Sequence, residues 1–259
     1  MKLSIYQIDA FAEEVFKGNP AAVCPLDDWL ADEILQSIAL ENNLSETAFF
    51  VLKDGSYEIR WFTPVVEVDL CGHATLASAY VIYEILGHEG DEISFTSRSG
   101  ELKVTRKRGM LELDFPLSEI YQCETSEDLR IGLGREPIEV WRADDYMAVF
   151  ENESDIRSLT PHFDALAKLE CRGIIATAPG DQTDFVSRFF APRCGVDEDP
   201  VTGSAHCELV PYWVARLGKA ELSAAQLSKR GGMLQCALSG RRVLISGRAV
   251  KYLEGTIEI

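Results

Sequence analysis

The feature that most constrains the fold is an internal repeat. Arg60-Trp61-Phe62-Thr63-Pro64 matches Arg188-Phe189-Phe190-Ala191-Pro192, and a loop follows each block, three residues longer in the second copy. Gly72-His73-Ala74 and Gly203-Ser204-Ala205 come next. Each opens a mostly apolar segment that ends 15 residues on at a glycine, Gly87 or Gly218. Gly100-Glu101-Leu102 and Gly232-Met233-Leu234 then begin strand-like stretches, 28 and 29 residues after the opening glycine. Three matching blocks in one order mark a duplicated unit.

Each copy reads as strand, glycine loop, buried helix, strand. Tyr57–Phe62 and Asp184–Phe189 alternate as strands do. The segment Ala74 to Leu86 is apolar nearly all round, which predicts a central helix wrapped by sheet. Its counterpart, Ala205 to Leu217, contains Pro211, so a late start or a bend is expected there. Gly87 and Gly218 suit left-handed helix ends. Further strands are expected at Ser4–Phe11, Thr47–Leu52, Leu102–Val104, Leu111–Phe115, Arg242–Ile245 and Thr256–Ile259, with a surface helix over Asp27–Leu40. Two α/β halves follow, residues 1–115 and 116–250.

Composition limits the partners. Lys and Arg number 25 against 42 Asp and Glu, a formal charge of -17, which argues against nucleic acid or an anionic membrane as the main partner. A small anionic substrate needs only local positive potential. The seven cysteines are scattered with no C-x-x-C pair, as expected in a reducing compartment. The N-terminal residues alternate like a strand and lack the apolar core of a secretory signal. The most apolar stretch is too short for a bilayer, so a soluble cytoplasmic protein is expected.

Duplicated halves usually face each other across a cleft, where two helix N-termini would offer free N–H groups and dipole ends to an anion. Gly72 and Gly203 stand at those two starts. No GxxxxGK[ST] or GxGxxG pattern occurs, so a small carboxylate fits better than a nucleotide. Glu46 lies just before an apolar strand, where partial desolvation would suit a general base; a capping or strand-edge carboxylate is the plainer alternative. His73 and Ser204 hold matched places after the two glycines, as substrate contacts or as helix caps. Asp199, before Pro200, is a second acid/base candidate or the start of a turn. Cys71 invites comparison with a two-thiol racemase, but the repeat places Thr202 opposite it. Gly18-Asn19-Pro20 and Arg230-Gly231-Gly232 are anion contacts or plain turns. Arg60 and Arg188 are expected to pair with the acidic loops after them. The four histidines form no metal-binding pattern.

These blocks together resemble the PhzF-like family, the phenazine-biosynthesis-like isomerases. The resemblance rests on Gly18-Asn19-Pro20, Leu44-Ser45-Glu46-Thr47-Ala48-Phe49, Cys71-Gly72-His73-Ala74-Thr75, Glu198-Asp199-Pro200-Val201-Thr202-Gly203-Ser204-Ala205 and Arg230-Gly231-Gly232, in the family's order. It implies a diaminopimelate-epimerase-like α+β fold. That fold has two pseudo-symmetric halves, each a curved, mostly antiparallel sheet around a central helix. The last strand, about 251–259, would cross back to the first half. It implies an isomerase that moves a proton on a small carboxylate without metal or organic cofactor, and a homodimer is plausible. Glu46 would be the proton shuttle, with His73, Asp199 and Ser204 as its catalytic partners. Asn19, Gly72, Thr202, Gly203, Arg230 and Gly231 would bind substrate. An epimerase using Cys71 and a non-catalytic binding protein are the competing readings.

Overall fold

The computed structural model describes residues 1–259. The chain divides into two compact units, Met1–Asp114 with Ser246–Ile259, and Phe115–Ile245.

In the first unit, Lys2–Ala10 is antiparallel to Asn19–Leu26, which runs parallel to Glu46–Lys53. Glu46–Lys53 is antiparallel to Ser56–Phe62, which in turn pairs in parallel with Glu92–Ser97. Gly100–Lys107 and Met110–Pro116 extend the sheet as antiparallel neighbours. The final strand, Ala249–Glu258, is antiparallel to Lys2–Ala10.

The second unit repeats that order within itself. Glu139–Arg142 is antiparallel to Tyr146–Val149, which is parallel to Ile174–Pro179. Ile174–Pro179 is antiparallel to Phe185–Ala191, which is parallel to Glu221–Gln226, itself antiparallel to Gly232–Ser239. The strands that open at the matched glycines, Gly100–Lys107 and Gly232–Ser239, are eight residues each. The architecture is α+β, with mostly antiparallel pairing and few helices, as expected.

Each unit buries one helix. Gly72–Tyr80 is buried at every residue from His73 to Ala79. A helix apolar all round can be stable only when enclosed, because there is no face to give to water. Its two buried hydroxyls are satisfied locally: Thr75 Oγ1 donates to the Cys71 carbonyl at 2.6 Å and Ser78 Oγ to that of Ala74 at 2.8 Å. One π-helical turn, Val81–Ile85, continues it. Gly87, at φ 75°, then ends it, with the His88 N–H on the Ile82 carbonyl.

The second helix departs from expectation. Gly203–Leu217 starts at the glycine and runs 15 residues through Pro211. A proline there leaves the carbonyl four residues earlier without its donor. The Ser118 N–H takes that Cys207 carbonyl at 3.2 Å, so the helix continues. The surface helix also starts later than its sequence pattern implies, at Asp32, and ends at Asn42.

The two arginines of the repeat pair as expected. Arg60 grips Glu67 through Nε and Nη2, at 2.7 and 2.8 Å. Arg188 grips Glu198 in the same way, at 2.7 and 3.0 Å. Each guanidinium also lies over the phenylalanine two residues on, 5.1 Å from the Phe62 ring and 4.9 Å from Phe190. These forks tie each acidic loop to the strand before its helix.

Candidate functional site

In the first unit the chain brings Asn19, Glu46, Cys71 and His73 together. The parallel register sets Ala21 beside Glu46, so Glu46 opens its strand two residues from the level of Asn19. The turn that delivers Asn19 requires Gly18. Its φ is 64°, and a Cβ there would lie 2.1 Å from the Ala10 carbonyl oxygen. Cys71 is the N-cap of the central helix in extended conformation, and its side chain makes no capping bond.

His73 is the hub. Its Nδ1 is 3.3 Å from Asn19 Nδ2 and 3.5 Å from Cys71 Sγ, and its Nε2 is 3.1 Å from Glu46 Oε2. Asn19 and Cys71 thus flank Nδ1, while Nε2 faces the carboxylate. The His73 side chain is 7% exposed and that of Glu46 19%. The contact is close but poorly aligned: Glu46 Oε2 and His73 Nε2 are both buried and lack a well-directed hydrogen bond. Burial opposes an imidazolium at His73, yet the Cys71 and Glu46 charges raise it well above its ordinary value. Burial, reinforced by the Glu46 charge, pushes the Cys71 thiol up, and His73 opposes that rise. Glu46, Cys71 and His73 also offer three metal-type ligand atoms within 4.8 Å of one another.

In the second unit the matched helix start carries different groups. Ser204 is the second residue of its helix rather than the cap, which is Thr202. Its Oγ accepts from Arg172 Nη1 at 2.6 Å, leaving the hydroxyl proton free to donate. The same guanidinium forks onto Asp145, which is fully buried. Glu208, one helical turn past Ser204, is also buried and accepts the Asp145 N–H through Oε1 at 3.2 Å. Burial, then the Asp145 charge, push Glu208 up to about 8.

Asp199 and Thr202 are held by Gln226. The Thr202 hydroxyl donates to Asp199 Oδ2. Gln226 Oε1 accepts the Thr202 N–H at 2.9 Å, and Nε2 donates to the Asp199 carbonyl at 2.8 Å and to Thr202 Oγ1 at 3.1 Å. Thr202 is therefore a brace of the loop, with both its polar groups engaged. The Gly231 N–H is taken by Ser228 Oγ at 3.0 Å, and Arg230 is half-buried beside it. Gly72 and Gly203 are the first residues of the two helices.

Arg172, Asp145, Glu208 and Gln226 went unrecognised in the sequence. The one available signal was the register of the repeat. Pairing sets Ala176 opposite Arg188, as Phe49 is opposite Arg60, which puts Gly173 at the place of Glu46. Arg172 is thus the neighbour of the residue matched to Glu46.

Comparison with known proteins identifies the fold and family. The model of the phenazine biosynthesis-like protein family matches residues 8–255. The chain belongs to the PhzF-like family. An uncharacterized isomerase of Pseudomonas aeruginosa is 54% identical over all of both chains. A crystal structure of a PhzF-family phenazine biosynthesis protein from Enterococcus faecalis superposes with a TM-score of 0.97 at 46% identity, again over all of both chains. The fold alone extends further: a hydroxyproline epimerase from Agrobacterium vitis gives a TM-score of 0.63 at 11% identity, covering 99% of this chain and 92% of that one. This PhzF-like chain is an isomerase with the epimerase-like fold. It has no helix long and apolar enough to cross a membrane.

Proposed function

We propose that this isomerase moves a proton on a small carboxylate-bearing substrate, without metal or organic cofactor. Glu46 takes a proton from carbon and returns it to a second carbon of the same conjugated system. The electron pair left behind spreads into that system, and helix-start N–H groups at Gly72 and Gly203 stabilise it, a contribution that is often the largest in such reactions. His73 holds Glu46 and, with Asp199 and Ser204, the substrate. The observation that supports this reading best is the 3.1 Å approach of Glu46 Oε2 to His73 Nε2, at a helix start whose N-cap side chain makes no capping bond.

One base that returns its own proton works on one face of the substrate, which suits isomerisation. Inversion needs a second acid on the opposite face. The residue matched to Cys71 is Thr202, whose hydroxyl and N–H are both engaged, so a paired-thiol epimerase is disfavoured.

The test is incubation of the protein in deuterium oxide with a panel of unsaturated and amino carboxylates, read by mass spectrometry. At least one conjugated carboxylate is expected to take up one deuterium on carbon. Binding of such compounds with no exchange in any of them would overturn the reading.

A further inference from the structure

We propose that Glu46, Cys71 and His73 form a binding site for a thiophilic divalent cation of the zinc class, which shuts the proton-transfer site. The three residues supply a carboxylate oxygen, a thiol sulfur and an imidazole nitrogen, all within 4.8 Å of one another. That donor set is one zinc accepts, and metals that demand only oxygen do not. Zinc bond lengths place the ligand atoms of a tetrahedral site roughly 3.4–3.6 Å apart. Glu46 Oε2 stands 3.1 Å from His73 Nε2 and Cys71 Sγ 3.5 Å from the ring's other nitrogen, so small side-chain shifts within the 4.8 Å cluster would close the three on one ion.

A second observation points to a ligand. His73 Nε2 and Glu46 Oε2 are buried without a well-directed hydrogen bond, although the His73 side chain is only 7% exposed. Buried polar atoms of this kind cost free energy until something satisfies them. A cation on Nε2, the nitrogen that faces Glu46, leaves the Nδ1 proton beside the Asn19 side-chain amide, whose oxygen can accept it once the amide is turned. Such outer partners orient metal-bound histidines. Three protein ligands leave a fourth position to water or a substrate carboxylate. Binding converts the Cys71 thiol to thiolate and releases its proton to solvent, with no change of oxidation state. Metal on Glu46 takes the lone pair that the base needs. This inhibition rests on Glu46 being the base, whereas metal binding does not.

The spacing of these residues carries no metal signature. Cys71 and His73 are two apart and Glu46 is 25 residues upstream of Cys71. The parallel strand and the helix start bring them together.

The experiment uses untagged, reduced protein and Co²⁺ as the probe, with Zn²⁺ as competitor. One Co²⁺ per chain should give a thiolate-to-cobalt charge-transfer band that Zn²⁺ displaces. Cys71→Ser should remove the band while circular dichroism stays unchanged. Glu46→Gln, which keeps the side-chain shape, should weaken binding at least tenfold, and it decides the matter if Cys71→Ser fails to fold. The proposal is overturned by absence of the band in wild type, by a band that survives Cys71→Ser, or by unchanged affinity in Glu46→Gln. All these readouts are taken without substrate. Zinc binding with no deuterium exchange would therefore sink the proton-transfer reading alone, and exchange without zinc binding would sink the metal site alone.

Discussion

At the start of the first central helix, His73 faces Glu46 and Cys71; at the matched start of the second, Ser204 takes a hydrogen bond from Arg172. The backbone beneath is the same. Each helix opens at a glycine after an N-cap whose side chain makes no capping bond. Each N-cap carbonyl is braced from four residues on, by Thr75 Oγ1 at 2.6 Å and by His206 Nδ1 at 2.8 Å. The loop before each is fastened by an arginine–glutamate fork. The difference lies in the charge. The first start presents an imidazole, a thiol and a carboxylate, while the second presents a guanidinium that stays protonated, with the titrating Glu208 one turn further in. A duplicated scaffold can thus divide proton transfer from charge binding, keeping the main chain and exchanging side chains.

This contrast can be broken at several points. The largest effect is expected from Arg172→Met, which strands Asp145 as an uncompensated buried carboxylate. The loss should be about 3 kcal/mol, the low end for a buried pair because the Arg172 side chain is 41% exposed, read from urea unfolding. A loss no greater than that of a surface arginine would show that the ion pair carries no weight.

Two pH effects come next, both from the second helix. Glu208 is raised to about 8 in the fold by burial and by Asp145. A carboxyl raised in this way favours folding most below its unfolded value, near 4.3, and that contribution is lost as pH climbs through about 8. Glu208→Gln should flatten this alkaline decline, on the order of 1–3 kcal/mol, in urea midpoints at pH 5.5 and 8.5. His206 is buried and lowered to about 4 by desolvation. It disfavours the proton in the fold, so stability is lost as pH falls from about 6.5 toward 4. His206→Gln should reduce that acid loss, whereas the uncharged counterpart Thr75 should contribute none. The smallest expected effect is from Thr75→Val. It removes the hydroxyl that braces the first N-cap at the cost of about 1 kcal/mol, with no pH dependence.

Much of the scaffold was legible in the residues. The repeat, its glycines and its two arginines found their places because turn geometry and charge pairing act over a few positions. Pro211 misled, since the donor that rescues the helix, Ser118, is 89 residues away from Cys207. The site was harder. Locally Glu46 reads as readily as a cap, and only the parallel register with Asn19–Leu26 and the helix at Gly72 give it His73 as a partner. Arg172 and Asp145 meet across 27 positions, and Asp145 and Glu208 across 63, distances that no periodicity spans.

The division of labour is tested most directly by deuterium exchange on a reactive carboxylate, with kcat and KM measured for Glu46→Gln beside Ser204→Ala. The account predicts that Glu46→Gln loses on the order of 10²–10⁴ in kcat with KM little changed. Ser204→Ala should keep most of kcat and raise KM. Exchange at the wild-type rate in Glu46→Gln would contradict it.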